Sequence, residues 1–217
     1  GSNGKTTTKE LLKHIFTDHE NVHATTGNYN TSIGLPLTLL QLSSEHTISL
    51  IEMGANQSGD IEYLCSITEP THGLITNIAP AHLEGFGSIE IVARTKGALF
   101  NALQNGTAFV NMADEHVRRL EISGDSITYG LTPDCDFPAD IHHEKDGTIT
   151  VTIDAEEIRT DSHNLSFVKN IIAASAITIK IGIDWDTFRQ RIKSFQAPKG
   201  RCEIKKLNNI TIIDDTY

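Results

Sequence analysis

Two glycines three positions apart, then a lysine and three threonines, open the chain: Gly1-Ser2-Asn3-Gly4-Lys5-Thr6-Thr7-Thr8. Directly behind them, Leu11, Leu12, Ile15 and Phe16 fall on one side of a helix that the spacing predicts over Thr7 to Phe16. Glycines allow backbone N–H groups to turn toward one point. A helix N-terminus adds its dipole there, and a lysine adds a full charge. That combination suits a phosphate group. A plain glycine-rich turn capping a helix uses the same residues, and the first glycine of such a loop would lie upstream of Gly1, so the motif alone leaves both readings open. A phosphate loop joins a buried strand to a helix. The feature therefore confines the fold to one in which strands deliver loops to a common edge.

The rest of the chain supplies such strands. Thr47 to Met53 reads as a strand ending near Glu52, and Ile61 to Cys65 suits a helix. Gly73 to Ile78 is a second strand, followed by the loop from Ala79 to Gly87 and a helix from Ser88, as cap, to about Leu103. Thr107 to Asn111 is a third strand. Between Thr25 and Pro36 glycines and asparagines crowd into a loop, with a short helix expected from Leu37 to Leu42. Strand alternating with helix predicts an α/β fold of the P-loop type, a mostly parallel sheet flanked by helices on both faces. Such sheets bind ligands beyond the carboxyl ends of their strands.

From Asp125 to about Thr160 the pattern changes. Ile149, Val151 and Ile153 alternate with threonines, and Asp146-Gly147 offers a hairpin turn, so a small antiparallel elaboration is expected over residues 125–160. Helices return over Lys169 to Gly182 and Trp185 to Phe195. Pro198-Lys199-Gly200 then breaks the chain before a last strand, Ile210 to Ile213. A phosphate loop beginning at Gly1 and a strand running into Asp214-Asp215-Thr216-Tyr217 read as an excerpt of a larger enzyme.

The formal charge of -10 argues against nucleic acid as a partner, because that binding needs a positive footprint. A small anion is a different matter, since local N–H groups and one lysine hold phosphate within an acidic protein. No stretch is apolar for long enough to span a membrane. Cys65, Cys135 and Cys202 match neither a disulfide framework nor a zinc spacing, which fits a reducing cytosol.

Several residues at element ends could carry chemistry. Thr6 is positioned to offer a hydroxyl to Mg²⁺, and Glu52 at a strand end offers the oxygen that a hard cation prefers. A strand-end acid in solvent is the competing reading of Glu52, and a hydrogen-bonded loop histidine that of His82. Lys96 falls on the apolar register of its helix with Ile89, Val92, Leu99 and Phe100. It either snorkels outward or points into the site, as a cation or chemically modified. Asn170, Arg201, Asp214 and Asp215 sit at or near element ends, where caps and turn residues also occur.

The motifs taken together resemble those of a known family. GSNGKTT, Gly27-Asn28-Tyr29-Asn30, Ile33-Gly34-Leu35-Pro36-Leu37-Thr38-Leu39-Leu40, Ile51-Glu52-Met53-Gly54-Ala55, AHLEGFGS, Lys96-Gly97, Gly200-Arg201 and DDTY are similar to those of the Mur ligases. IEMGA with AHLEGFGS resembles the members that add D-alanyl-D-alanine to a UDP-N-acetylmuramoyl-tripeptide. The resemblance implies a three-domain cytoplasmic enzyme, a monomer, of which residues 1–200 form the central ATP-binding domain. Residues 201–217 would be the last strand leading to a C-terminal domain.

It also implies ATP-driven peptide-bond formation through an acyl phosphate, with ATP and two Mg²⁺ ions. Gly1, Ser2, Asn3, Gly4, Lys5, Thr6 and Thr7 would cradle the phosphates, with Lys5 on the β- and γ-groups. Thr6 and Glu52 would hold one Mg²⁺ and His82 the second. Lys96 matches a lysine that is carbamylated in related ligases, which would give the metal and substrate a carboxylate-like group. Asn28 and Asn30 would serve the substrate and phosphate side, with Asn77 in support. Asn170 would meet adenine, and Arg201 and Asp215 the phosphates and ribose. Thr31, Ala98, Ser166 and Phe167 depart from the family pattern, and His163-Asn164 stands three residues early. Sibling Mur ligases, folylpolyglutamate synthase and a non-catalytic nucleotide-binding protein share the loop and remain the alternatives.

Overall fold

The computed structural model describes residues 1–80, 86–198, 200, 203–207 and 210–214, with no side-chain description at 203–207, 211 and 213. Helix α1 (Lys5–Phe16) begins directly behind the glycine loop and buries Leu11, Leu12, Ile15 and Phe16, as their spacing demands. A short strand β1 (Val22–Ala24), which the sequence reading passed over, pairs in parallel with β2 (Ile48–Leu50). The ladder of β2 stops at Leu50, so Glu52 lies just beyond the paired segment rather than within it. Helix α2 (Gly34–Leu39) starts three residues before the expected Leu37. Pro36 does not prevent this, because it falls in the first turn, where its missing N–H has no helical partner to lose.

Helix α3 (Asp60–Thr68) precedes β3 (His72–Ile75), and α4 (Ile89–Asn101) follows with Ser88 Oγ accepting from the Ile91 N–H as an N-cap. β4 (Thr107–Asn111) continues the sheet, and a 3₁₀ turn at Val117–Arg119 leads to β5 (Asp125–Gly130). β6 (Phe137–His143), β7 (Ile149–Ile153) and β8 (Glu156–Ser162) complete a sheet of order β3-β4-β5-β6-β7-β8. Then come α5 (Leu165–Ile181), α6 (Trp185–Ser194) and the antiparallel pair β9 (Glu203–Leu207) and β10 (Ile210–Asp214). The expected single last strand is thus a hairpin.

The α/β class is as expected, with one shift of boundary. β5 belongs to the parallel part, in register with β4 from Thr107↔Asp125 to Asn111↔Tyr129. Antiparallel pairing starts only with β6 against β7 and continues to β8. Alternation in a strand reports which face is buried, not which way its neighbour runs, and so could not place this boundary.

Both faces of the sheet are covered. Along β4, Phe109 enters a core shared with α1, α5 and α6, while Ala108 and Val110 enter one shared with α3 and α4. Burial of successive residues on opposite faces is what a parallel strand between two helix layers requires. Helix α5 starts at Leu165, four residues before the expected Lys169, because the Asn164 side chain accepts from the Ser166 and Phe167 N–H groups and fixes the N-terminus there.

The β7–β8 turn is made by Asp154 and Ala155, both left-handed, at φ 49° and 65°. A two-residue hairpin turn of this kind matches the twist of its strands but strains a residue bearing a Cβ. Ala155→Gly should therefore stabilise the fold by about 1 kcal/mol. In thermal unfolding this appears as a rise of about 2–4 °C; no rise or a fall would contradict the strain.

Candidate functional site at the strand ends

The glycine loop is stitched to the end of β3. Ser2 N–H donates to the Asn77 carbonyl at 2.8 Å, Asn3 N–H to Asn77 Oδ1 at 3.0 Å, and Asn77 Nδ2 returns a bond to the Asn3 carbonyl at 3.2 Å. Thr76 Oγ1 donates to the same carbonyl at 2.6 Å, and Asn111 Nδ2, at the end of β4, holds the Thr76 carbonyl at 2.7 Å. Ser2 Oγ and Ala79 exchange two further bonds. The loop's shape is thus set before any ligand arrives. Asn77 acts as its brace, which is a more specific placement than general support of the site.

Gly4 caps α1 in the left-handed region at φ 79°, with no side chain capping the helix end. A Cβ at Gly4 would come within 2.5 Å of Asn170 Oδ1. Gly4 is therefore required twice over, by its dihedral and by the close approach of α5. Asn170 lies in the second turn of α5, not at its start, and sits against the loop. The first N–H groups of an α-helix have no partner within the helix, so the loop presents donors and a positive dipole end together. Lys5 Nζ donates to the Ser2 carbonyl at 3.2 Å. Thr6 and Thr7 stand half-buried in the first turn beside it.

Glu52 is 6 % exposed and is gripped from the β1 side. Its N–H donates to Thr25 Oγ1 at 2.9 Å, and its Oε1 accepts from Asn30 Nδ2 at 2.9 Å. Its Oε2 is buried and has no hydrogen-bond partner. Thr25 is anchored in turn, its carbonyl accepting from the buried Lys9 Nζ, which also pairs with Glu10. Asn28 is exposed, and its carbonyl accepts from the Asn30 N–H at 2.7 Å.

Lys96 points inward, at 7 % exposure, and its Nζ approaches the Gly1 carbonyl at 3.5 Å. Burial, reinforced by the charge of Lys5, lowers its pKa from 10.5 to about 8. Gly1, Lys5, Glu52, Thr76 and Lys96 share the lining of one cavity of about 520 Å³. Its apolar part, walled by Leu12, Phe16, Leu50, Leu74 and Phe109, runs back between β2 and β3 and offers nothing to a phosphate.

Of the residues singled out in the sequence, the structure brings Gly1–Thr7, Glu52, Asn30, Asn77, Lys96 and Asn170 to this edge of the sheet. Asn28 reaches it only through its backbone. His82, Arg201 and Asp215 lie outside the described residues. Thr25, Lys9, Thr76, Asn111 and Asp114 were not read as part of the site. Asp114 takes the Ile78, His116 and Val117 N–H groups at 2.9–3.0 Å and so braces the exit from β3. Lys9 carried a usable signal, falling one helical turn beyond Lys5 among residues of the buried face.

A glycine loop, a strand-end carboxylate and an inward lysine thus share one edge of the sheet. The family described as Mur ligase middle domain matches residues 1–178. The chain belongs to the Mur ligases. It is 38 % identical over its whole length to the UDP-N-acetylmuramoyl-tripeptide--D-alanyl-D-alanine ligase of Haemophilus influenzae, covering 50 % of that protein. Over all its residues it superposes on MurF from Acinetobacter baumannii with a TM-score of 0.91 at 30 % identity, covering 49 % of that chain. It does likewise on the MurF ligase of Thermotoga maritima, solved in complex with ADP, with a TM-score of 0.88 at 29 % identity and 52 % coverage. This Mur ligase chain therefore spans about half the length of the relatives it matches.

Proposed function

We propose that this chain is the central, ATP-binding domain of a ligase that adds D-alanyl-D-alanine to a UDP-N-acetylmuramoyl-tripeptide in peptidoglycan synthesis. The observation that carries the proposal is the pre-shaped glycine loop at the uncapped start of α1, beside a buried Glu52 with one unpartnered oxygen. The ADP bound by the Thermotoga maritima relative and the name of the Haemophilus influenzae one support the nucleotide and the substrates. In this reading residues 1–200 are the domain proper and 201–217 lead toward a C-terminal one. In this reading the enzyme is also cytoplasmic and monomeric.

The chemistry follows from charge. A carboxylate oxygen of the tripeptide attacks the γ-phosphorus of ATP, ADP leaves, and an acyl phosphate forms. The amine of D-alanyl-D-alanine then attacks the acyl carbon, the C–O bond breaks, and inorganic phosphate departs with one former carboxylate oxygen. Two anions must meet, so the residues' task is to neutralise and align. The Gly1–Thr7 loop holds the phosphates through those N–H groups that Asn77 does not engage, Lys5 draws charge from the β- and γ-groups, and Asn170 and Arg201 with Asp215 orient the nucleoside and phosphates. Asn28 lines the substrate side.

Among the described residues no cluster of three or more His, Cys, Asp or Glu could hold a metal. Mg²⁺ does not need one, since it takes one or two protein oxygens and completes its shell with phosphates and water. The orphaned Glu52 Oε2 fits that donor set, with the Thr6 hydroxyl as the second oxygen and His82 serving a second ion. When bound, Mg²⁺ supplies charge neutralisation at the transferring phosphoryl group. A pKa near 8 leaves Lys96 partly as a free amine at neutral pH, which is the form that adds CO₂ to give a carbamate and a proton.

A substrate panel on the full-length protein tests the proposal. Phosphate release from ATP should require both UDP-N-acetylmuramoyl-tripeptide and D-alanyl-D-alanine. Release with another amino acid as acceptor would point to a sibling ligase, and release with glutamate and a folate would sink the assignment.

A further inference from the structure

Asn30 stands in the loop between β1 and α2, 22 residues from Glu52 in sequence, yet its amide donates to Glu52 Oε1 at 2.9 Å. The asparagine is itself held on two sides. Its carbonyl accepts from the Gly54 N–H at 2.7 Å, and its N–H donates to the Asn28 carbonyl at 2.7 Å. Gly54 permits this closeness, because a Cβ there would lie 3.0 Å from Asn30 Oδ1. Thr25 meanwhile fixes the Glu52 backbone. Of these contacts only the Asn30 amide reaches the carboxylate itself, and it uses one of the two oxygens. The other, Oε2, is buried and unpartnered.

We propose that Asn30 is a positioning residue for Glu52 rather than a contact for substrate. The inference rests on the reading of Glu52 as a Mg²⁺ ligand and adds how that ligand is presented. By occupying Oε1, the Asn30 amide steers Glu52 toward binding through Oε2 alone. Single-oxygen binding suits Mg²⁺, whose small octahedral shell accommodates a chelating carboxylate poorly. A carboxylate fixed before the metal arrives also loses little freedom on binding. Hydrogen-bond partners of metal ligands characteristically govern affinity in this way, at about 10–100-fold when removed.

The test uses the full-length protein with a non-hydrolysable ATP analogue, and Mn²⁺ as the probe, with free Mn²⁺ read by electron paramagnetic resonance. Asn30→Leu keeps the volume and removes the donor, and Asn30→Ser removes it with a smaller polar group. Both should weaken Mn²⁺ binding by about tenfold or more. In turnover, the Mg²⁺ requirement should rise by a similar factor while the KM for the UDP-linked tripeptide stays within about twofold. Glu52→Gln provides the separate control and should weaken Mn²⁺ binding by more than either Asn30 variant. If Glu52→Gln does so while both Asn30 variants bind Mn²⁺ like the wild type, the positioning role is wrong and the metal reading stands. A raised tripeptide KM in those variants would then return Asn30 to substrate binding. Unchanged Mn²⁺ affinity in Glu52→Gln would remove the metal reading and this inference with it. Failure of both Asn30 variants to fold would overturn the proposal in favour of a purely structural role.

Discussion

Lys5→Ala is expected to lower kcat of the full-length enzyme by about 10²–10³-fold, the scale seen when one preorganised charge-stabilising group is lost. The Lys5 ammonium stands at the start of α1, folded over the loop to the Ser2 carbonyl, beside donors that the Asn77 and Thr76 bonds hold in place. Those backbone donors remain in the variant, so ATP still binds, more weakly. What disappears is the charge that meets the phosphates as negative charge redistributes during transfer. The fall in kcat should therefore exceed the rise in the KM for ATP. Lys5→Arg should not restore activity, because a planar fork differs in shape and reach from a compact ammonium in a loop of fixed form. Steady-state kinetics against ATP checks both variants. An equal rise in KM with kcat untouched would mean that Lys5 only tethers the nucleotide.

Lys96→Met should have opposite effects on stability and activity. The Lys96 ammonium is buried beside the charge of Lys5, and its pKa falls from 10.5 to about 8. The unfolded chain then holds its proton more tightly than the folded one. The penalty to the folded state is complete below about pH 8 and fades as the pH rises toward 10.5. In bicarbonate-free buffer at pH 7 the methionine variant should be more stable by about 1–2 kcal/mol, allowing for screening by solvent. That gain should shrink toward pH 10. Activity should fall by about two orders of magnitude or more, as for loss of a group at the reacting centre. Lys96→Ala should regain part of it with a short carboxylic acid. Bicarbonate should raise the melting temperature of the wild type and leave Lys96→Met unchanged, since only the amine can take up CO₂. Urea unfolding across pH and rescue kinetics check these outcomes. Full activity without rescue would take Lys96 out of the mechanism, and a loss of stability at pH 7 would show its charge to be satisfied.

Much of this site was legible in the sequence because its parts are local. Gly4 and Lys5 act through their own backbone and the helix behind them. Ser88 marks the start of α4, and Thr107–Asn111, with its short apolar run, forms a strand over the expected residues. Lys96 is inward because 3.6-residue periodicity places it with Val92 and Phe100, and both are buried.

What was missed depends on pairing between distant segments. Nothing in Asn30 shows that its amide will meet Glu52, since that requires β1 and β2 to lie side by side. The parallel direction of β5 is likewise a property of its neighbour. The start of α5 was misread for another reason. The cap is the Asn164 side chain, six residues before the motif residue Asn170. Asn170 matters through its contact with Gly4, which no spacing rule reveals.

The central claim is that the phosphates gripped by Gly1–Thr7 serve a transfer to a carboxylate. Labelling the terminal carboxylate of the tripeptide with ¹⁸O and letting the full-length enzyme turn over with ATP and D-alanyl-D-alanine tests it most directly. Each phosphate released should carry one ¹⁸O atom from the carboxylate, with the amide product keeping the other. Phosphate free of label, in a reaction that still forms the amide, would contradict the acyl-phosphate account.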